Sequence, residues 1–509
     1  MTVTEQLLPA APAGGGPYRR LLRLRPDVLV TAHGDDVELA HPWGRQRVHA
    51  LGRPTVGRLL ELARTELDAE ATAAGDARLL RLLERFPYLV TTVLADPLGD
   101  PLATAVPIAR SAGLPGGLPD RLLGGAPAVL SRFAYLRRLP EEQHAGTCVL
   151  ESPLAPFRVT LHQPAAGAFV AALTAPRPVA DAALPAGLST AAGQALAGLL
   201  AGAGFLETGP GDTPAAADPA LWDFHDLLFH SRSRAGRHDY PSGGLFAHQD
   251  IPQLPAVPAA DPPGEDPGID LPVPDWDAVV ARDPAFSEVL EGRRSVRGYA
   301  ETPVTLEQLG ELLYRSARVR RVIPGDPESP TAYDIVERPY PAGGATGELE
   351  VHLSVARCAG LVPGVYRYDA AAHRLRPRRW SGPADEAAFR ELLTAAWRAT
   401  NCTVEPQVLI TVTSRFGRLS WKYSQIAYAL TLKHVGVLYQ TLYLVATAMG
   451  LAPCGLGSGD TDAAARALGL DWTSETSVGE FLIGSRPAGV PSVAHGFADT
   501  VAEARGAAG

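Results

Sequence analysis

Hydrophobic and polar residues alternate in short runs along the first 210 residues, and Gly or Pro ends most of these runs. A period of two predicts half-buried strands, while apolar spacings of three and four predict helices. The pattern predicts a small antiparallel meander over Leu22–Val48 and a hairpin over Tyr88–Ala95 and Leu102–Ile108. The other elements predicted in this half are helices over Val56–Leu67, Ala77–Phe86, Gly167–Leu173 and Thr190–Ala203, and strands over Cys148–Leu150 and Phe157–His162.

The same plan occurs twice in this half. A small sheet, helices and a hairpin in this order are typical of a winged-helix-like module. We therefore predict one module over residues 1–110 and a second over residues 125–210, with generic α+β packing as the alternative. Neither contains a catalytic constellation, so binding is the function expected of them.

Proline and glycine are concentrated between Thr208 and Pro284, most clearly in Pro214–Pro219 and Pro252–Pro274. This composition predicts a linker over residues 211–284, followed by a second domain over residues 285–509. The linker contains an aromatic, His and Arg-rich segment in which His225 and His230 are five residues apart. A spacing of four would place both imidazoles on one helical face, so no metal site is predicted.

Longer apolar segments occur in the second domain. They predict strands over Leu349–Val355, Gln407–Thr413 and Glu480–Ile483, and a long, central helix over Ile426–Met449. A further helix is predicted over Leu306–Ser316, where Thr305 has the position of an N-cap and Gln308 that of its capping-box partner.

Composition excludes several classes of protein. A net charge of −9 and a pI near 5.8 argue against nucleic acid as a partner. The most apolar stretch, Val435–Met449, is too short to cross a bilayer, and Met1–Gly16 lacks the pattern of a signal peptide. No CxxC pair is present, which fits a reducing compartment, so we expect a cytoplasmic protein without a membrane segment. The cysteines are Cys148, Cys358, Cys402 and Cys454.

Lysine is rare in this chain. Of its 46 basic residues only Lys422 and Lys433 are lysines, and Lys422 directly precedes Tyr423. Arginine keeps its proton in proteins, whereas lysine can change its protonation and holds a compact charge. Lys422 is therefore a candidate for proton chemistry, with a solvated lysine near a helix end as the alternative.

Three segments have the composition of a site for a phosphorylated, planar cofactor. Arg293–Arg297 combines guanidinium groups with a hydroxyl, which suits phosphate, although a solvated basic turn has the same composition. Pro341–Gly347 has three glycines before a strand, which permit close backbone approach, as would any glycine-rich loop. Met449–Gly459 follows a helix and lacks a P-loop lysine, so it is interpreted as a turn against a ring system. Arg486 is a further candidate for a phosphate contact.

These segments, in this order, resemble the flavin nitroreductase superfamily, and within it the SagB/ThcOx-type azoline dehydrogenases. Arg293–Arg297 is similar to the family's Arg-x-Ser-x-Arg start, and Pro341–Gly344 is similar to its Pro-Ser-Gly-Gly loop. Val362–Tyr368 matches a Pro-Gly-Val-Tyr-x-Tyr strand, and Lys422-Tyr423 matches the Lys-Tyr pair to which this branch assigns catalysis. His434, Gln440–Leu444, Gly450-Leu451 and Gly455–Gly457 are similar to its central helix and flavin-facing turn.

The resemblance implies an α+β fold, with a C-terminal FMN domain built on a mixed central sheet flanked by helices. It also implies oxidation of peptide thiazolines or oxazolines to azoles in a thiopeptide-like pathway, with dioxygen as acceptor. Implied partners are an azoline-containing precursor peptide, the cyclodehydratase components and a second copy of the chain in a homodimer. The FMN-binding residues that it implies are Arg293, Ser295, Arg297, Pro341, Ala342, Gly343, Gly344, Gln440, Gly455, Leu456, Gly457 and Arg486.

The sequence departs from the family's pattern in two places. Thr346–Glu348 stands where Leu-Tyr-Pro is common, and Ile426–Tyr428 stands where Arg-Gly-Tyr is common. Both changes affect the expected substrate pocket rather than the expected flavin site. An NAD(P)H-dependent nitro- or quinone reductase and a non-catalytic peptide-binding scaffold stay open as alternatives.

The implied chemistry gives the Lys-Tyr pair defined roles. The ring's α-carbon would lose a proton to the Tyr423 phenolate while the neighbouring carbon delivers hydride to the flavin. A phenol ionises far above neutral pH, so an ammonium beside it is needed, and Lys422 would supply that charge. Consecutive residues of a helix point about 100° apart, so the pair is expected at a strand or loop end before the central helix.

Overall fold

The structure, a computed structural model, describes residues 18–138, 148–207, 221–258, 268–401, 405–490, 501–503 and 506. The chain forms two compact units, residues 1–240 and 241–509, so the boundary falls within the predicted linker 211–284. Its stretch Pro214–Pro219 lies outside the described residues. Among the described helices, none is long and apolar enough to cross a bilayer.

The first unit is built on an antiparallel sheet of strand order β5-β1-β6-β7-β11-β10-β9, beside a three-stranded sheet, β2-β3-β4. Its strands are β1 (Arg19–Leu24), β2 (Leu29–His33), β3 (Asp36–His41), β4 (Gly44–Val48), β5 (Leu67–Asp68), β6 (Val90–Ala95), β7 (Pro101–Pro107), β8 (Val129–Leu130), β9 (Tyr135–Arg138), β10 (Cys148–Glu151), β11 (Phe157–Leu161) and β12 (Leu206–Glu207). Its helices are Arg53–Leu62, Ala69–Gly75, Ala77–Arg85, Pro87–Leu89, Asp120–Leu123, Pro164–Ala172, Val179–Ala183, Thr190–Gly202 and Phe224–Arg232.

Strands of both predicted N-terminal modules lie in that one sheet. β7 pairs with β6 on one edge and with β11 on the other, and one hydrophobic core extends from Leu22 to Phe205. The two predicted modules, 1–110 and 125–210, therefore contribute strands to one shared sheet, and the division into two modules stays a prediction. The edge of β7 that the β6–β7 hairpin alone would leave free pairs with β11 from the second predicted module. No row of unpaired backbone groups is therefore exposed along β7. The winged-helix description stays a prediction.

Two other predictions for this unit need correction. The helix expected over Val56–Leu67 begins at Arg53 and ends at Leu62, with Pro54 in its first turn. Leu67 instead belongs to β5, which pairs with β1. The predicted meander is divided, because β1 joins the large sheet while β2, β3 and β4 form the small one.

A buried carboxylate stabilises the far edge of the large sheet. Glu151 accepts hydrogen bonds from Tyr135 Oη, Arg137 Nε and Arg158 Nε at 2.8 Å each, and from Tyr240 Oη at 3.0 Å. Burial alone would raise the pKa of Glu151, but the hydrogen bonds and charges of Arg137 and Arg158 outweigh it and lower the pKa to about 2. Glu151 is thus ionised and fully satisfied at neutral pH.

The second unit is a three-layer arrangement around an antiparallel sheet of order β14-β19-β18-β17-β20-β23-β22. Its strands are β13 (Gly243–Gly244), β14 (Ile269–Asp270), β15 (Arg321–Ile323), β16 (Ile335–Glu337), β17 (Leu349–Val355), β18 (Gly364–Asp369), β19 (Arg374–Pro377), β20 (Val408–Ser414), β21 (Tyr423–Ser424), β22 (Leu451–Gly455) and β23 (Thr476–Ser485). Its helices are Trp276–Arg282, Phe286–Gly292, Leu306–Ala317, Gly343–Ala345, Pro383–Ala399, Phe416–Ser420, Ala427–Ala448 and Thr461–Leu468.

Successive side chains of the buried strands point to opposite faces of this sheet. Ile410 and Ile483 pack with helices Leu306–Ala317 and Ala427–Ala448 on one face. The adjacent residues Leu409 and Leu482 pack with helices Pro383–Ala399 and Thr461–Leu468 on the other. Strands buried on both faces explain the continuous apolar runs in the sequence.

The predicted α+β class is confirmed, and the capping box of Thr305 and Gln308 is present. Two details differ. Each pairing within this seven-stranded sheet is antiparallel, whereas a mixed sheet was expected. Part of the expected turn Met449–Gly459 is the edge strand β22, which tolerates Pro453 because an edge strand bonds a neighbour on one side only.

We predict that Glu151→Gln destabilises the first unit by about 3–5 kcal/mol at about pH 7, because it leaves buried arginines without their counter-charge. A carboxyl whose pKa is lowered on folding stabilises the fold above its unfolded pKa, and this contribution is lost as pH falls through the folded pKa. The difference from wild type should therefore shrink towards about pH 3. Urea unfolding of the full chain, with hydrogen exchange over β9–β11 to localise the transition, measures both effects.

The matched control is Glu61→Gln, which removes the exposed pair of Glu61 with Arg58. Exposed pairs are worth about 0–1 kcal/mol, so this variant should unfold like wild type. An equal loss in both variants, or a loss for Glu151→Gln that persists unchanged at low pH, would contradict the assignment.

Candidate functional site

Lys422 and Tyr423 lie between two helices. Helix Phe416–Ser420 ends just before them, and the central helix Ala427–Ala448 begins four residues after Tyr423. Tyr423 starts the two-residue strand β21, which pairs with Gly243–Gly244. The pair thus occupies a short extended segment before the central helix, as expected from the sequence. Because the segment is not helical, the two side chains are not forced to point about 100° apart.

The Lys422 ammonium is surrounded by aromatic rings. Its Nζ donates a hydrogen bond to Tyr333 Oη and lies 4.3 Å from the centroid of that ring. The ring centroids of Tyr423 and Phe246 are 5.2 and 5.7 Å from Nζ. Aromatic faces attract a cation while excluding water, so this charge is held in a defined place.

Gly344 forms the opposite wall of this group. It has a φ of 62°, and a Cβ built there would lie 2.7 Å from Lys422 Nζ, 2.9 Å from Tyr423 Oη and 3.0 Å from Tyr333 Oη. A side chain at this position would displace all three groups, so glycine is required by space as well as by conformation. Tyr333 Oη also donates a hydrogen bond of 2.9 Å to the Gly344 carbonyl. We call Lys422, Tyr423, Tyr333 and Gly344 the Lys422 cluster.

A hydrogen-bonded chain fixes the glycine loop to the central helix. The Gly343 N–H donates to His434 Nε2 at 2.7 Å, and His434 Nδ1–H donates to the buried Glu348 carboxylate. Burial would raise the pKa of Glu348, but the hydrogen bond from His434 lowers it below the usual range. Thr346 Oγ1 donates to the second Glu348 oxygen at 3.1 Å. Because Nε2 accepts, the histidine carries its proton on Nδ1.

Backbone strain is present on three sides of the Lys422 cluster. Phe246, Ala345 and Gln425 have φ values of 53°, 48° and 63°. Residues other than glycine rarely adopt these values, and such strain is found preferentially where function requires a fixed geometry.

The first candidate phosphate segment contacts the central helix about 14 Å further along its axis, since Tyr443 follows His434 by nine residues. Ser295 Oγ lies 2.7 Å from Tyr443 Oη, and the Arg293 guanidinium lies 5.2 Å from the Tyr443 ring centroid. Gly455 N–H donates to Tyr443 Oη at 2.7 Å. Tyr443 therefore joins Arg293, Ser295 and Gly455, three of the predicted cofactor-binding residues.

Arg486 has unused hydrogen-bonding capacity in this region. Its Nε and Nη2 are buried and have no hydrogen-bond partner in the part of the chain that the structure describes. Burial and then the charge of Arg294 lower the pKa of Arg486. A guanidinium group with unsatisfied buried donors beside a second arginine fits an anionic ligand. We call Arg293, Arg294, Ser295, Arg297 and Arg486 the arginine cluster.

The remaining predicted cofactor-binding residues are distributed as follows. Pro341 and Ala342 lead into the glycine loop, and Leu456 and Gly457 line a cavity of about 260 Å³ beyond β22. Gln440 is exposed on the central helix. Tyr333 and Tyr443 were not predicted as site residues, because a single tyrosine in a loop or helix has no distinguishing sequence pattern. The proximity of both to predicted residues is visible only in the fold.

The two clusters contact opposite faces of the central helix. Nine residues of α-helix correspond to about two and a half turns, so His434 and Tyr443 point in opposite directions. One chain therefore does not direct its Lys422 cluster and its arginine cluster along the same face of this helix.

Comparison with known proteins gives two family matches. Residues 128–239 match the model described as cyanobactin oxidase ThcOx, and residues 290–485 match the nitroreductase family. A protein of Methanocaldococcus jannaschii that is named as a nitroreductase is 28% identical over 177 residues, which are 34% of this chain and 78% of that protein.

Solved structures show distant likeness. A nitroreductase-type structure from Ralstonia eutropha is 19% identical and covers 49% of this chain and all of its own, with a TM-score of 0.34. The E. coli microcin synthetase McbBCD complex with truncated pro-MccB17 is 20% identical and covers 51% of this chain and 91% of the matched chain, with a TM-score of 0.32. These TM-scores are too low to carry an argument about function.

The two family matches lie in different units, the ThcOx match in the first and the nitroreductase match in the second. The nitroreductase match includes both the Lys422 cluster and most of the arginine cluster. Together the matches confirm the resemblance stated from the sequence, to the nitroreductase superfamily and within it to the SagB/ThcOx type.

Proposed function

We propose that this protein oxidises thiazolines or oxazolines in a ribosomally made peptide to the corresponding azoles, with FMN as cofactor and dioxygen as final acceptor. The observation that carries the proposal is the Lys422 cluster, in which an ammonium and two phenols meet at one glycine. A nitro- or quinone reductase that takes hydride from NAD(P)H needs no protein base of this kind. The ThcOx match over residues 128–239 supports the same choice.

The residues present fit FMN. Its phosphate would be held by the arginine cluster, where Arg486 has buried, unsatisfied donors and Ser295 adds a hydroxyl. Its ring system would lie against Gly455, Leu456 and Gly457, where little side-chain volume intervenes. When bound, FMN supplies the acceptor for the hydride that leaves the heterocycle.

The hydrogen bonds of Tyr333 and Tyr423 differ, and they suggest different roles for the two phenols. Tyr333 donates its proton to the Gly344 carbonyl and accepts from Lys422, so both functions of its hydroxyl are already used. Tyr423 Oη makes no hydrogen bond among the residues that the structure describes, and the Lys422 ammonium lies 5.2 Å from its ring centroid. Tyr423 would take the proton from the ring's α-carbon, and Tyr333 would keep Lys422 in position.

The opposite orientation of the two clusters supports a homodimer. The residues Tyr428, Leu432, Gly436 and Gln440 form an exposed stripe at i, i+4 spacing on the central helix, and a Cβ at Gly436 would meet nothing. Tyr428 and Leu432 are 45% and 40% exposed. A second copy packed on this stripe would bury it and bring the Lys422 cluster of one chain towards the arginine cluster of the other.

The first unit is proposed to bind the leader region of the precursor peptide or a cyclodehydratase component. Its exposed aromatic residues Trp222, Phe224 and Phe229 lie within the ThcOx match and offer apolar contacts. Exposed aromatic side chains are enriched at protein interfaces.

Tyr423→Phe is expected to retain FMN and to lose turnover by about 100- to 10,000-fold, the range for removal of a general base. The matched variant Tyr333→Phe, which keeps the base and loses one hydrogen-bonded positioning group, should lose about tenfold. Mass analysis of an azoline peptide for the loss of two hydrogens per ring measures turnover, and flavin absorbance measures cofactor content. Full turnover by Tyr423→Phe would remove it from the chemistry, and the reverse order of effects would make Tyr333 the base.

Lys422→Arg should lower turnover at least about tenfold while the protein stays yellow. Arginine keeps the positive charge, but its planar guanidinium does not fit the compact space between the Tyr333 ring and Gly344. Lys433→Arg, at the exposed second lysine, is the matched control and should behave as wild type. Wild-type turnover by Lys422→Arg would mean that charge alone is sufficient.

Leu432→Glu should convert the dimer into monomers and reduce the bound FMN, because it introduces a charge into the proposed interface. Light scattering after size exclusion, with flavin absorbance of each peak, measures both. Leu98→Glu changes a leucine that is 82% exposed in the β6–β7 hairpin and is expected to leave the oligomeric state unchanged. A dimeric Leu432→Glu protein would locate the interface elsewhere.

A further inference from the structure

The cavity beyond β22 contains a buried carboxyl group that the proposed proton transfer does not use. Its walls are the central helix, through Tyr428, Val435 and Tyr439, the turn Leu456–Gly459, and the start of β23 up to Glu480. Glu480 is only 6% exposed. The cavity thus combines predicted cofactor-binding residues with an acidic side chain to which no role has been given.

Glu480 uses its backbone for structure and leaves its carboxyl group unused. Its carbonyl accepts hydrogen bonds from Tyr439 Oη at 2.9 Å and from Leu456 N–H at 2.8 Å. Its carboxyl oxygens make no hydrogen bond among the described residues, although they line the cavity. They lie so close to Gly459 that a Cβ there would collide with them. A carboxyl group that faces a cavity without a protein partner is available to bond a ligand that occupies the cavity.

The surroundings of Glu480 favour its neutral form. Tyr428 and Tyr439 face the cavity from the central helix, and Asp460 lies at the end of the turn. Burial, and then the negative charge of Asp460, raise the pKa of Glu480 to about 7. Arg398 lines a neighbouring cavity together with Asp460. Near neutral pH a substantial fraction of Glu480 is therefore a carboxylic acid, which can donate a hydrogen bond as well as accept one.

Gly455 lies between a tyrosine that lines the cavity and a tyrosine that contacts the arginine cluster. A Cβ at Gly455 would lie 3.2 Å from Tyr439 and 3.4 Å from Tyr443, so this residue separates the two tyrosines. Tyr443 contacts Ser295 on one side, and Tyr439 lines the cavity on the other. A ligand whose phosphate is held by the arginine cluster would thus extend past Gly455 towards Glu480.

We propose that Glu480 is a cofactor-binding residue that donates a hydrogen bond, as a neutral acid, to an acceptor on the flavin ring system. The inference rests on the proposed function, since it takes FMN as the ligand. Ionised Glu480 has no proton to donate and adds a buried negative charge beside Asp460. Retention of FMN therefore weakens as pH rises through the titration of this group.

FMN binding by the full-length protein tests the proposal without reference to turnover. Flavin fluorescence is titrated with protein from which the cofactor has been removed, at about pH 6 and about pH 8.5. Wild type should bind about tenfold or more weakly at the higher pH, where about one carboxyl in thirty remains protonated. Glu480→Gln, which keeps an N–H donor at both pH values, should change less than about twofold.

Asp460→Asn provides a second, independent variant. Asn retains the side-chain oxygen that caps helix Thr461–Leu468 through Ala463 N–H but removes the charge beside Glu480. Its pH profile of FMN binding should shift to lower pH, because loss of the neighbouring negative charge lowers the pKa of Glu480. The weakening should therefore begin at lower pH than in wild type. A purely structural role for Glu480 gives no such displacement.

The possible failures are distinguishable. Binding of FMN by wild type with no pH dependence, or with a dependence that Glu480→Gln retains, overturns the assignment of Glu480 and leaves the proposed function intact. An unmoved midpoint in Asp460→Asn overturns the same assignment. Absence of FMN binding by wild type at both pH values overturns the proposed function and this inference together.

Discussion

The hydrogen-bonded chain from Glu348 through His434 to Gly343 is the interaction on which the candidate site depends. It joins the residue directly before β17, the central helix and the glycine loop, using both nitrogens of one imidazole. Because the chain fixes Gly343, it also fixes Gly344, whose missing side chain makes room for Lys422 and both phenols. The position of the ammonium thus follows from a buried carboxylate that never contacts it.

The antiparallel sheet of the second unit gives this chain its rigidity. β17 and β20 lie side by side at its centre, and both are buried along their whole length. Glu348 immediately precedes β17, and the segment that carries Lys422 follows β20. The loop before β17 and the loop after β20 therefore lie at the same end of the sheet. This places Gly344 and Lys422, almost 80 positions apart in sequence, in one cluster.

Much of the second unit could be predicted from its sequence, and the exceptions have physical causes. β17 was predicted with its observed bounds, because seven consecutive residues are buried and apolar positions dominate. β22 was interpreted as a turn, since Pro453 and Gly455 conceal a strand that lies at an edge. Lys422 was a candidate because lysine is rare, and the family resemblance added Tyr423 and Ser295 as predicted site residues. Tyr333 and Glu480 acquire significance only from their neighbours in space. In the first unit, the repeated pattern was detected, but a local pattern contains no information about which edges of two sheets pair.

The opposite orientation of the two clusters on the central helix has a genetic consequence. In the proposed dimer each complete site takes its proton-handling half from one chain and its anion-binding half from the other. Defects in the two halves then belong to different complementation groups. Mixed dimers of a chain damaged near Tyr423 and a chain damaged near Arg486 would contain one wholly intact site and one doubly defective site, so two inactive alleles could restore activity to each other.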